Sequence, residues 1–232
     1  MSGIVYGVGV GPGDPELITL KAHRLISGAD VVAYPAPDSG DSFARRIVAD
    51  FLPKGVREIP MIVPMRVERF PAQDVYDAGA AEISKAAKAG KNVVVLCEGD
   101  PFFYGSFMYL FARLSGNIEM QVVPGVSSLG AVAAAAQTPL CAREETLSVL
   151  PATLDEAELV ERLSRANAVA MMKIGRHFAK AKRAIDAAGL TDRAMFVSHA
   201  SLPEQHACPL ADAPETAPYF SMIVIPGRDA HV

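Results

Sequence analysis

The stretch that most restricts this chain is Val94-Val95-Leu96-Cys97-Glu98-Gly99-Asp100-Pro101-Phe102-Phe103-Tyr104-Gly105-Ser106. A short apolar run bounded by turn residues reads as a buried strand. It stops in a carboxylate, a glycine, a second carboxylate and a rigid proline, followed by an aromatic cluster. In an open α/β sheet, ligands sit in the crevice outside the carboxyl ends of the strands. A strand tip of this composition is either one wall of such a crevice or an ordinary strand-to-helix turn with Asp100 as the helix cap.

The same punctuation recurs along the chain. Residues 4–10 read as a first strand that runs into Gly11-Pro12-Gly13-Asp14-Pro15-Glu16. The spacing predicts a helix over 16–27, with Asp14 as its cap, Pro15 in its first turn and Gly28 as its stop. The glycines do not make a dinucleotide fingerprint. Counting Gly-x-Gly-x-x-Gly from Gly7 or from Gly9 puts Pro12 or Asp14 in the sixth place. They do let the backbone approach another molecule closely. Strands are predicted over 30–35, 56–62 and 91–97, and helices over 42–51, 74–89 and 105–114. Between them, a proline-broken stretch carrying Arg66 and Arg69 reads as a long binding loop.

After the Gly116-Asn117 turn, Gln121-Val122-Val123 ends in Pro124-Gly125-Val126-Ser127-Ser128 and opens an Ala-rich helix through Ala136. Free N–H groups at that helix start suit a polar ligand or simple capping by either serine. Strands over 147–150, 168–174, 194–198 and 219–225 then alternate with helices over 155–164 and 178–188. The pattern predicts two α/β domains, 1–116 and 117–232, with a ligand cleft between them.

Composition excludes several classes. A formal net charge of -4 and no Trp give neither a basic field nor a stacking surface for nucleic acid. Cys97, Cys141 and Cys208 are too scattered for a zinc site or a disulfide framework, so no metal is expected and a reducing cytoplasm fits. The apolar stretch at 129–137 is about half the length a membrane span needs. No basic region precedes the first strand, so no signal peptide is expected.

Four separated motifs, in order over essentially the whole chain, resemble the tetrapyrrole methylases. They are Val8 to Thr19 around Gly11-Pro12-Gly13-Asp14-Pro15-Glu16, Glu98-Gly99-Asp100-Pro101-Phe102-Phe103-Tyr104-Gly105-Ser106, Val123-Pro124-Gly125-Val126-Ser127-Ser128, and His199-Ala200-Ser201-Leu202-Pro203-Glu204. The final strand with Ser221-Met222-Ile223-Val224 falls where that family has its last motif. Within the family the second motif is most similar to the branch that methylates precorrin-2 at C20. Uroporphyrinogen-III methylases usually carry Gly-Gly-Asp-Pro there.

The resemblance implies S-adenosylmethionine as methyl donor, contacted by Pro12, Glu98, Gly99, Asp100, Phe103, Ser127, Ser128, Met172, Ala200, Ser221 and Met222. Asp100 would hold and orient the donor and would not act as a base. A polycarboxylate acceptor would suit Arg66, Arg69, Lys173 and Arg176 at a trough rim. The resemblance also implies a homodimer. The rival readings are a branch taking a cobalt-loaded acceptor, a diphthine synthase or ribosomal RNA methylase of the same architecture, and a binding module without transfer.

Overall fold

The computed structural model describes residues 2–38, 40–63 and 70–229. These divide into two units, Met1–Ser127 and Ser128–Val232. Among the described residues, no helix is long and apolar enough to cross a membrane.

The first unit is built on the strands β1 (Val5–Gly9), β2 (Val31–Pro37), β3 (Arg57–Val63), β4 (Val93–Cys97) and β5 (Met120–Val123). All pairings among them are parallel, in the order β3-β2-β4-β1-β5. β4 is central and every residue of it is buried, as its unbroken Val-Val-Val-Leu-Cys run requires. The helices α1 (Leu20–Ser27), α2 (Phe43–Ile47), α3 (Phe70–Lys88) and α4 (Phe107–Leu114) cover both faces. On one face Ala22 and Ile26 of α1 and Ala44 and Ile47 of α2 bury Val8, Val32, Val94 and Leu96. On the other, Ile83 and Ala87 of α3 and Phe107 and Leu110 of α4 bury Val5, Ala33, Val95 and Cys97.

The helix predicted over 16–27 is two pieces. A 3-10 turn at Pro15–Leu17 is capped by the Asp14 carboxylate. Ile18 is then extended, and Thr19 caps α1 through its hydroxyl, which accepts from the Ala22 N–H. A β-region cap residue cannot also be the interior of a helix, so Thr19 divides the segment.

The strand order sets the position of the crevice. From β1 the chain leaves through α1 toward β2, and from β4 it leaves through α4 toward β5, on the opposite face and in the opposite direction along the sheet. β1 and β4 are adjacent, so the order reverses between them. Open α/β sheets bind ligands at such a switch point, outside the carboxyl ends of the strands.

The second unit holds β6 (Leu147–Pro151), β7 (Ala168–Met172), β8 (Met195–Ser198), β9 (His206–Pro209) and β10 (Ser221–Ile225), in the order β6-β7-β10-β8-β9. β10 runs antiparallel to both neighbours, so this sheet is mixed. α6 (Glu156–Ser164) and α7 (Phe178–Ala187) cover one face through Leu159, Leu163, Phe178 and Ile185. α5 (Ser128–Ala135) covers the other through Val132.

The sequence division at 116 and the division in the structure differ. β5 pairs with β1 in the register Val5↔Met120, so the segment after Gly116 completes the first sheet. Gly116-Asn117 is the turn between α4 and β5.

Candidate active site

Three loops leave the carboxyl ends of β1, β4 and β5, and the backbone ties them together. Gly11 and Gly99 exchange both N–H···O bonds, at 3.3 Å and 2.8 Å. A Cβ on Gly125 would lie 2.0 Å from the Gly99 carbonyl oxygen and 2.8 Å from the Gly9 Cα, so the third loop meets the other two only because that position is bare. The Asp100 carboxylate completes the junction. Its Oδ1 accepts from the Phe102 and Phe103 N–H groups at 2.9 Å and 3.1 Å, and its Oδ2 accepts from the Gly125 N–H at 3.1 Å. Asp100 is therefore a clamp between the loops after β4 and β5. It does not cap α4, whose cap position is Ser106.

Gly99 differs from these packing positions. Its φ is +61°, a conformation L side chains rarely adopt, and a Cβ there would meet nothing nearer than the Val126 carbonyl oxygen at 4.0 Å. Open space lies beside this backbone, as a close-approaching ligand needs. Tyr104 also has a positive φ, 56°, although it carries a side chain. Strained backbone of this kind gathers at binding loops. Pro12 and Phe103 are half-buried on the same loops, and Phe103 meets the Tyr104 ring edge-on at 5.3 Å.

Glu98 lies at the switch point itself. It is half-buried, and burial pushes its carboxyl above the usual carboxylate range. Among the described residues no hydrogen bond or ion pair engages its side chain. Among the described residues no fully sealed side-chain polar atom lacks a partner, so the Glu98 carboxylate still reaches solvent.

In the second unit Met172, Lys173, Ala200 and Ser221 share one end of the sheet. Ser221 pairs with Ser198, and Ile223 pairs with Met171. Lys173, His199 and Ser201, at this same end, have φ of 57°, 50° and 69°. His199 donates its N–H to the Phe220 carbonyl at 2.8 Å, which pins the turn. Sequence reasoning gave His199 no role. A left-handed histidine has no mark in a single sequence. Met222 is buried at 4% exposure among Val132, Ala170 and Val197, so its side chain is core. Lys173 and Arg176 are exposed after β7. Ser127 and Ser128 are half-buried at the start of α5. Arg66 and Arg69 lie outside the described residues.

A crevice of about 610 Å³ lies at the other end of the second sheet, with Arg165, Asn167, Arg193 and Arg228 among its lining. Two of its cations are already engaged: Arg193 donates to the Asn167 and Pro226 carbonyls, and Arg165 pairs with Glu161. The loops after β1, β4 and β5 are the better candidate.

The family model described as Tetrapyrrole (Corrin/Porphyrin) Methylases matches residues 4–214. The chain belongs to that family. A precorrin-2 C(20)-methyltransferase of a Sinorhizobium species is 38% identical over 98% of both chains. The cobalamin biosynthesis protein CobIJ of Mycobacterium tuberculosis is 43% identical over 97% of this chain. The chain spans only 46% of that relative's length, about half. Among solved structures, a uroporphyrin-III C-methyl transferase of Thermus thermophilus complexed with S-adenyl homocysteine matches with a TM-score of 0.71 and 25% identity, over 97% of each chain. The expected α/β architecture and family are thus borne out.

Proposed function

We propose that this protein transfers a methyl group from S-adenosylmethionine to carbon 20 of precorrin-2, a step of cobalamin biosynthesis. The observation that carries the reading is the loop junction at the β1–β4 switch point, where Gly99 has a left-handed backbone and open space beside it. The Sinorhizobium relative, matched end to end, supports the choice of acceptor. S-adenosylmethionine supplies an electrophilic methyl group on a sulfonium. Pro12, the Glu98–Gly99 backbone and Phe103 of the first unit would hold it, together with Met172, Ala200 and the backbone around Ser221 and Met222 of the second. Asp100 would contribute by fixing the loops, and Ser127 and Ser128 by presenting the start of α5.

Transfer between a methyl donor and an electron-rich ring carbon needs no enzyme nucleophile. Alignment and exclusion of water do most of the work. Lys173 and Arg176, with Arg66 and Arg69, would meet the acceptor's carboxylates at the rim. The reading includes a cytoplasmic homodimer. Family resemblance supports the dimer, and the separated, unpaired Cys97, Cys141 and Cys208 suit a reducing compartment.

The donor pocket is tested by titrating S-adenosylhomocysteine into the protein and into Gly99→Val in a calorimeter. A branched side chain at this φ strains the backbone and fills the open space. Affinity should fall by roughly tenfold or more, equivalent to about 1.4 kcal/mol. Unchanged affinity would remove Gly99 from the pocket.

A further inference from the structure

Four carboxylates stand between β1 and α1 and between β4 and α4; Glu16 is exposed to solvent, and two of the other three are already committed. Asp14 accepts from the Glu16 N–H at 2.8 Å and caps the 3-10 turn. Asp100 accepts three backbone N–H groups. Glu98 accepts no hydrogen bond and faces no cation among the described residues. Among the described residues, the titratable groups within its influence are Tyr76 on α3 and Cys97, its neighbour in β4. Burial, with a smaller contribution from Glu98, pushes Tyr76 up to about 12 and the Cys97 thiol up as well. Both therefore stay neutral near pH 7, and neither supplies a basic group there. Among the described residues the Glu98 carboxylate has no structural partner, and it stands at the strand tips where the fold class places a ligand.

We propose that Glu98 is the proton acceptor that completes carbon methylation in this protein, taking the hydrogen from the newly methylated ring carbon. The inference rests on the proposed function above. When the new C–CH3 bond forms and the S–CH3 bond breaks, S-adenosylhomocysteine departs and the ring becomes cationic. The methylated carbon still carries its hydrogen. The Glu98 carboxylate removes that proton, the C–H electron pair returns to the conjugated ring, and the ring is neutral again. The neutral carboxyl then releases the proton to water at the crevice mouth. No oxidant or further reactant is needed. A carboxylate that burial has made more basic suits this task better than a fully solvated one.

The test uses the full chain with Glu98→Gln and Glu98→Asp, assayed with S-adenosylmethionine and precorrin-2. Removing a general base costs roughly 100-fold or more in kcat, so Glu98→Gln should lose that much and Glu98→Asp should recover part of it. The wild-type kcat should fall at acid pH, and this limb should vanish in Glu98→Gln. Affinity for S-adenosylhomocysteine should stay within about threefold, equivalent to less than 1 kcal/mol. Folding should not suffer. A carboxyl whose folded pKa is raised favours the native state below its ordinary pKa and loses that advantage as pH rises through the folded value. A neutral glutamine escapes the loss, so Glu98→Gln should melt no lower than wild type at pH 7. A Glu98→Gln protein with undiminished kcat and an intact acid limb would overturn the proposal. So would a fall in kcat matched by an equal loss of donor affinity, which would make Glu98 a donor ligand instead. A wild-type protein that methylates no reduced tetrapyrrole would overturn the proposed function, and this inference with it. An active wild type beside an active Glu98→Gln overturns this inference alone.

Discussion

Removing the Asp100 carboxylate would leave the Phe102, Phe103 and Gly125 N–H groups without their acceptor. Hydrogen bonds to a charged group are worth about 1.5–3 kcal/mol each in favourable settings, and solvent can replace part of that at a half-buried site. Asp100→Ala should therefore cost about 2 kcal/mol, a fall in Tm of about 4–8 °C for a chain of this size. Asp100→Asn keeps one acceptor oxygen and should lose less. A Tm unchanged in Asp100→Ala would show that the clamp holds nothing. The sequence showed where this residue would act, at the tip of a buried strand. It could not show what its oxygens bond, because Gly125 is brought beside Asp100 only by the pairing of β5 with the far side of β1. The glycines divide for the same reason. Gly125 is bare to admit the Gly99 carbonyl, while Gly99 is bare because its own φ requires it, and both look alike in the sequence.

Between elements, the ends of β2, β3 and α2 are joined by a polar network. The Tyr34 hydroxyl donates to Glu58 at 2.6 Å, and Arg45 donates to both Glu58 oxygens at 3.1 Å. Ser42 donates to the Pro35 carbonyl at 2.6 Å and caps α2. The Arg45 guanidinium, and after it the Tyr34 hydroxyl, hold the Glu58 carboxyl below its ordinary value of 4.5. A lowered folded pKa contributes stability that is present above the ordinary value and lost as pH falls through the folded one. Denaturant midpoints should thus decline below about pH 4.5 in the wild type, and this part of the decline should shrink in Glu58→Gln. Equal slopes in the two proteins would contradict the network's role.

Most elements were legible from burial runs and turn residues. β4 was plain because five consecutive apolar residues have few other uses. β9 was not, because His206–Pro209 is a four-residue edge strand with exposed ends and no apolar alternation to announce it. The antiparallel course of β10 was equally hidden. Strand direction is decided by which neighbour a segment meets, and the 199–220 connection carries no α-helix to mark a crossover.

On the scale of the whole molecule, each unit brings candidate site residues to one end of its sheet. In the first, the switch point gathers Pro12, Glu98 and Gly99. In the second, the end of β7 and the start of β10 gather Met172, Lys173, Ala200 and Ser221. Strained backbone marks that end of the second sheet, at Lys173, His199 and Ser201. Sheet ends of this kind suit a transfer in which water is excluded and the reacting atoms are aligned. The measurement that tests this most directly is incubation of the protein with S-adenosylmethionine carrying a carbon-13 methyl group and with precorrin-2, metal-free in one arm and cobalt-loaded in the other. Mass spectrometry and carbon-13 NMR then read the product. One labelled methyl group, on carbon 20 of the metal-free acceptor, is the expected product. An acceptor recovered unchanged, or labelled only when it carries cobalt, would contradict it.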